Sequence, residues 1–139
     1  MAKRILVVDD EPRILAVIRR RLETVGHQVS IAVDGIEALR KARAERPDLI
    51  ILDLLLPDVS GLEVCTLLKG DASLRTIPVL MLTARSQAAD IAEGRRVGAD
   101  AYITKPYESD TLLEQVARLL AKAEEKVGEG KGSENEHDA

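Results

Sequence analysis

Residues Leu49–Leu52 (L-I-I-L) form an unbroken apolar run with two adjacent isoleucines, and the run ends on a carboxylate, Asp53. An apolar run without alternation describes a strand covered on both faces rather than one with a wet side. Three further leucines follow before Pro57. A carboxylate enclosed by that much hydrocarbon costs several kcal/mol if it stays charged and unpaired. Asp53 is therefore either neutral or compensated from elsewhere in the chain.

Similar runs recur along the sequence. Arg4–Val8 (R-I-L-V-V) breaks into Asp9-Asp10-Glu11-Pro12. Pro12 suits the first turn of a helix, and acids at a helix start favour its dipole. Ile14, Ile18, Leu22 and Val25 then recur at helical spacing until Gly26. Gln28–Ala32 alternates weakly, as a second strand. Asp34, with Glu37 three residues on, caps a helix reaching about Ala44. After Gly61, Leu62, Cys65 and Leu68 mark a helix closing near Gly70.

Ile77–Leu82 is a fourth strand, with Pro78 at its opening where proline is tolerated, and it ends on Thr83. A helix from about Ser86 to Val97 is interrupted by Gly94 and is weaker than its neighbours. Ala101–Thr104 is a short fifth strand ended by Lys105-Pro106. Glu108 to about Ala123 is amphipathic through Leu112, Leu113, Val116, Leu119 and Leu120. Beyond it glycine and charge dominate, so residues 124–139 are expected to form a disordered acidic tail after one domain over 1–123. Neither an internal repeat nor a second domain is visible.

Five strands alternating with five helices define an α/β fold, a doubly wound parallel sheet with right-handed crossovers. In such sheets the site lies beyond the carboxyl ends of the strands, at the switch point. The polar residues there are Asp9 and Asp10 after the first strand, Asp53 after the third, Thr83 after the fourth and Lys105 after the fifth.

Composition narrows what this crevice does. The only aromatics are two tyrosines, which argues against stacking on single-stranded nucleic acid. Residues 124–139 hold six acids and two bases, leaving 18 of the 24 acids and 18 of the 20 bases in the body. A body balanced in charge gives no footprint for direct nucleic-acid contact. No apolar run is long enough to span a bilayer and the N-terminus lacks a signal-peptide core, so a cytoplasmic location away from membranes is expected. The single Cys65 sits among apolar residues and reads as a buried small hydrophobe.

Three carboxylates in one crevice repel one another, and one lysine cannot neutralise three. Mg²⁺ binds few protein carboxylates, keeps several waters and accepts phosphoryl oxygens, which suits a half-filled acidic cluster. Beside such a cation Asp53 stays ionised and can act as the carboxylate type that forms an aspartyl phosphate. Phosphoryl transfer then needs positioning and charge neutralisation. Lys105 supplies a point charge and Thr83 a hydroxyl donor to phosphoryl oxygens.

Four pieces stand in order along residues 4–123: V-V-D-D-E (7–11), D-L-L-L-P-D-V-S-G (53–61), M-L-T-A (81–84) and G-A-D-A-Y-I-T-K-P-Y (98–107). In these pieces and their order the chain resembles the receiver domain of two-component response regulators. The resemblance implies a flavodoxin-like three-layer α/β/α fold with strand order 2-1-3-4-5. It implies that Asp53 accepts a phosphoryl group from the phosphohistidine of a sensor histidine kinase or phosphotransfer protein. It implies that Asp10, Asp53 and the backbone carbonyl of Leu55 bind Mg²⁺ (or Mn²⁺), that Asp9 assists through water, and that Thr83 and Lys105 hold the phosphoryl group.

By the same resemblance, Tyr102 matches the aromatic that turns inward as Thr83 moves, and Lys105-Pro106 matches a cis peptide. The face of the fourth helix, fifth strand and fifth helix is implied to repack for partner binding or homodimerisation. Leu55 and Arg85 match positions that tune phosphoryl lifetime, and an apolar Leu55 cannot orient an attacking water, so self-dephosphorylation is expected to be slow. Leu56 stands where the family often has Met. The chain is not expected to turn over substrate beyond its own phosphorylation and slow dephosphorylation.

Taken singly, these residues have bland explanations: capping acids for Asp9-Asp10, a strand-end hydroxyl for Thr83, a solvated charge for Lys105, a strand aromatic for Tyr102. Their shared location is what raises them. His27 and His137 are expected at the surface and Asp58 in an ordinary loop. A metal-dependent phosphatase with a nucleophilic Asp would need D-x-D after the first strand, which Asp9-Asp10-Glu11 does not supply. A flavin carrier would need a Ser/Thr/Gly-rich phosphate loop and flanking aromatics, both missing. A receiver-like adaptor that is never phosphorylated is the remaining alternative. No output domain follows, which fits either a stand-alone receiver or part of a longer protein.

Overall fold

The central strand is as dry as its composition requires: every residue of Leu49–Asp53 is buried. The computed structural model describes residues 2–84, 92 and 96–138, with side chains as far as residue 125. Its strands β1 (Arg4–Val8), β2 (Gln28–Ala32), β3 (Leu49–Asp53), β4 (Val79–Thr83) and β5 (Ala101–Thr104) form one parallel sheet in the order β2-β1-β3-β4-β5. The central β3 and β4 are wholly buried, whereas the edge strands β2 and β5 are mostly half-buried. That gradient explains why β2 alternates only weakly in sequence.

Strand pleating sends alternate residues to opposite faces. One face carries Leu6, Val8, Ile50, Leu52, Val79 and Met81, packed by α2 (Gly35–Glu45) and α3 (Gly61–Gly70) through Ala38, Ala42, Val64, Cys65 and Leu68. The other carries Ile5, Val7, Leu49, Ile51, Leu80 and Leu82, packed by α1 (Pro12–Thr24) and α4 (Ser109–Asp138) through Leu15, Ile18, Leu22, Leu112, Val116 and Leu119. Helices on both faces give the three-layer α/β/α sandwich, and Cys65 is buried within it.

Four helices are described where the sequence predicts five. The helix expected from about Ser86 to Val97 lies outside the described residues, apart from Ala92 and Arg96, which are both helical, and Val97, which lies in a turn. The last helix continues to Asp138, past Ala123 and through the segment expected to be a disordered tail. Two physical reasons favour the extension. Elongating an existing helix adds one hydrogen bond per residue fixed, and Glu124, Glu125 and Lys126 are good helix formers. Glu124 is also tied to the body by Lys3, Nζ to Oε1 at 2.5 Å.

The buried stripe of α1 is Leu15, Ile18 and Leu22; Val25, expected in it, is exposed. His27 is half-buried rather than surface-exposed, and its Nδ1 accepts a long hydrogen bond from the Lys3 amide at 3.4 Å. Burial holds its imidazole below the usual histidine value. Among the described residues no helix is long and apolar enough to cross a membrane.

Candidate functional site

Strand register assembles the site. β1 and β3 pair Val8 with Leu52, so the next residues, Asp9 and Asp53, emerge side by side. β3 and β4 pair Asp53 with Leu82, which places Thr83 one step beyond. β4 and β5 pair Thr83 with Thr104, and the Lys105 amide donates to the Thr83 carbonyl at 2.6 Å. Each candidate side chain thus sits where an apolar strand gives way to polar sequence.

Asp9 is 1% exposed and Asp53 6%. One Asp9 oxygen accepts from the Glu11 amide at 2.9 Å, and the other faces Lys105 Nζ at 3.4 Å. The same ammonium lies 3.7 Å from Asp53 Oδ2. Asp53 Oδ1 faces the Leu55 amide at 3.4 Å, a long contact. Asp9, Asp10 and Asp53 each offer an oxygen within 4.8 Å of the others, and Asp10 opens the cluster to solvent.

Burial, reinforced by the Asp9 charge, pushes the Asp53 carboxyl above its ordinary value despite the pull of Lys105. Burial acts to lower Lys105, but the charges of Asp53 and Asp9 outweigh it and hold the ammonium above its ordinary value. Lys105 therefore stays charged at neutral pH, while the carboxylates remain in excess. That excess fits a hard divalent cation with open positions for water.

Thr83 is 2% exposed at the end of β4. Tyr102 is half-buried on β5 and packs against the core formed with α2 and α3, its hydroxyl oxygen shielded from solvent. The Lys105-Pro106 peptide is cis. The Leu55 side chain is 53% exposed in the loop after β3. Arg85 lies outside the described residues.

Sequence reading underrated two neighbours of this cluster. Gly61 closes the loop after β3: its amide donates to the Leu54 carbonyl at 2.8 Å. A Cβ there would overlap the Asp53 carbonyl oxygen and press on Leu54 Cα at 2.8 Å, so only glycine fits. Asp58, expected to be an ordinary loop acid, instead binds the start of α2 through the Gly35 and Ile36 amides. The P-D-V-S-G string marks a turn but carries no sign of that distant partner.

A sequence profile of the response regulator receiver domain matches residues 5–117, so the chain belongs to that family. The Bacillus subtilis alkaline phosphatase synthesis transcriptional regulatory protein PhoP is 44% identical over 124 residues, covering 89% of this chain and 51% of that protein. The chain spans about half the length of the curated relatives it matches. A receiver domain of a Syntrophus aciditrophicus signal transduction histidine kinase has a similar structure, with 41% identity and a TM-score of 0.82 over 87% of this chain and 92% of that one. Another neighbour is the receiver domain of the Pseudomonas aeruginosa sensor histidine kinase PA1611, solved with magnesium coordinated in its active-site cleft. It has 29% identity and a TM-score of 0.81 over 87% of this chain and 99% of that one. The chain is a receiver domain of the two-component response-regulator family.

Proposed function

We propose that this domain is a phosphorylation switch, with Asp53 accepting a phosphoryl group from the phosphohistidine of a sensor histidine kinase or phosphotransfer protein. The observation that carries this reading is the cluster itself: three carboxylates within 4.8 Å, one of them at the end of a buried strand, facing one lysine. Asp10, Asp53 and the Leu55 carbonyl would hold Mg²⁺ (Mn²⁺ as a substitute), with Asp9 acting through water; the Pseudomonas neighbour solved with magnesium in its active-site cleft supports a cation in this crevice. The cation supplies charge neutralisation for the phosphoryl oxygens.

The chain's own residues do the rest. An Asp53 oxygen bonds to phosphorus as the bond from phosphorus to the donor breaks, and the donor leaves with that electron pair. Lys105 holds one phosphoryl oxygen by charge, and the Thr83 hydroxyl donates to another. Thr83 and Tyr102 then shift together and repack the face of β5 and α4, changing affinity for a downstream protein or a second copy. The balanced charge of residues 1–123 supports a receiver unit that does not itself contact nucleic acid, with 124–139 as an acidic extension.

Intact mass after incubation with acetyl phosphate tests the reading. The expected result is a gain of one phosphoryl group, with acetate released, that requires both Mg²⁺ and Asp53 and is absent in Asp53→Ala. A folded wild type that gains nothing would mark the chain as a phosphorylation-independent adaptor.

A further inference from the structure

The first three amides of a helix have no helical acceptor. In α2 the third, Glu37, is satisfied locally by the Asp34 side chain at 2.8 Å. The first two are satisfied from outside: Gly35 N–H donates to Asp58 Oδ1 at 2.8 Å and Ile36 N–H to Asp58 Oδ2 at 3.0 Å. Both carboxylate oxygens of Asp58 are engaged, each in a charge-assisted bond at the positive end of the helix dipole. Slight burial acts to raise the Asp58 carboxyl, but hydrogen bonds from the Gly35, Val59 and Ile36 amides outweigh it and hold it below the usual carboxylate value. The clamp is therefore ionised at neutral pH.

The neighbouring residue reinforces the clamp. A Cβ on Gly35 would lie 2.7 Å from Val59 Cγ2 in this loop and 2.8 Å from Val64 Cγ2 on α3, so α2 begins flush against both. At its far end the loop is closed by the Gly61 amide on the Leu54 carbonyl. Between those two anchors lies Leu55, whose amide faces Asp53 Oδ1.

We infer that Asp58 is a positioning residue for the phosphoacceptor site: by gripping the start of α2 it fixes the loop after β3, and through that loop the Leu55 backbone and the Asp53 carboxylate. This inference rests on the phosphorylation reading above. Without the clamp, a cation that uses the Leu55 backbone must order the loop as it binds, which lowers affinity.

Asp34→Ala is the control, because it removes an amide acceptor from the same helix end without touching the loop. Mg²⁺ affinity is measured by calorimetric titration and stability by urea unfolding, for wild type, Asp58→Ala, Asp58→Asn and Asp34→Ala. Asp58→Ala and Asp34→Ala are expected to lose similar stability, but only Asp58→Ala should weaken Mg²⁺ binding, by about tenfold. Asp58→Asn keeps one acceptor oxygen and should fall between wild type and Asp58→Ala, which preserves the test if the alanine variant fails to fold. Equal Mg²⁺ affinity in wild type and the Asp58 variants, or an equal loss in Asp34→Ala, overturns the inference. A wild type that binds no Mg²⁺ overturns the phosphorylation reading and this inference with it.

Discussion

Asp53 is held at a cost that the fold must offset. Its carboxyl is pushed up by burial, so in metal-free protein Asp53 ionises at a higher pH in the folded state than in the unfolded chain. As pH rises through the ordinary carboxylate range the unfolded chain ionises first, and stability falls. Asp53→Asn removes that cost. In EDTA at pH 7 the variant is expected to be about 1 kcal/mol more stable than wild type by urea unfolding, with the difference fading as pH falls below the ordinary carboxylate value. A variant no more stable at pH 7 would contradict the burial argument. Leu55 sits two residues further on with its side chain 53% exposed, so Leu55→Asn should leave stability within about 0.5 kcal/mol. The same substitution supplies a group able to orient water, and the phosphorylated variant is expected to lose its phosphoryl group about tenfold faster, a barrier change of ~1.4 kcal/mol. A wild-type lifetime shorter than the variant's would refute this.

Strands and helices differ in how plainly the sequence announces them. β1, β3 and β4 are legible because all-apolar runs ending in Asp9, Asp53 and Thr83 leave little choice of element or of direction toward the crevice. The exact buried stripe of α1 is less legible, since Ile14, Leu15, Ile18, Leu22 and Val25 fit two adjacent faces and packing on the sheet selects one. Contacts that tie elements together are not legible at all when neither partner is unusual for its position. Asp58 with α2 is one case and Lys69 is another. Its ammonium, near the end of α3, donates to the Arg75 carbonyl at 3.1 Å, the Ile77 carbonyl at 2.9 Å and the Asp100 carboxylate at 2.9 Å. Asp100 also accepts from the Val79 amide at 2.8 Å, so a single lysine joins α3 to the starts of β4 and β5. Lys69→Met keeps the aliphatic stem that lies against Gly98 and deletes the charge. The expected cost is about 2 kcal/mol in urea unfolding, and a loss under 0.5 kcal/mol would reduce the junction to a surface contact.

For the molecule as a whole, a cation held by the acidic cluster would couple binding to folding. A cation that binds only the folded state stabilises it by about 2.7 kcal/mol at a concentration 100 times its Kd. Mg²⁺ is therefore expected to raise the unfolding midpoint of wild type in a concentration-dependent way and to lose that effect in Asp53→Ala. Equal shifts in both proteins would place the cation elsewhere. The three-layer architecture follows from the alternation of runs, but the course of the last helix to Asp138 does not, because elongation of an existing helix overrides the local composition. The ion pair that completes the crevice joins Asp9 to Lys105, residues 96 positions apart in the chain. A ribosome must therefore translate past β5 before any part of the growing polypeptide has a complete pocket. A half-made receiver carries its acidic cluster without its lysine, and the pocket is complete only once β5 and Lys105 have been made.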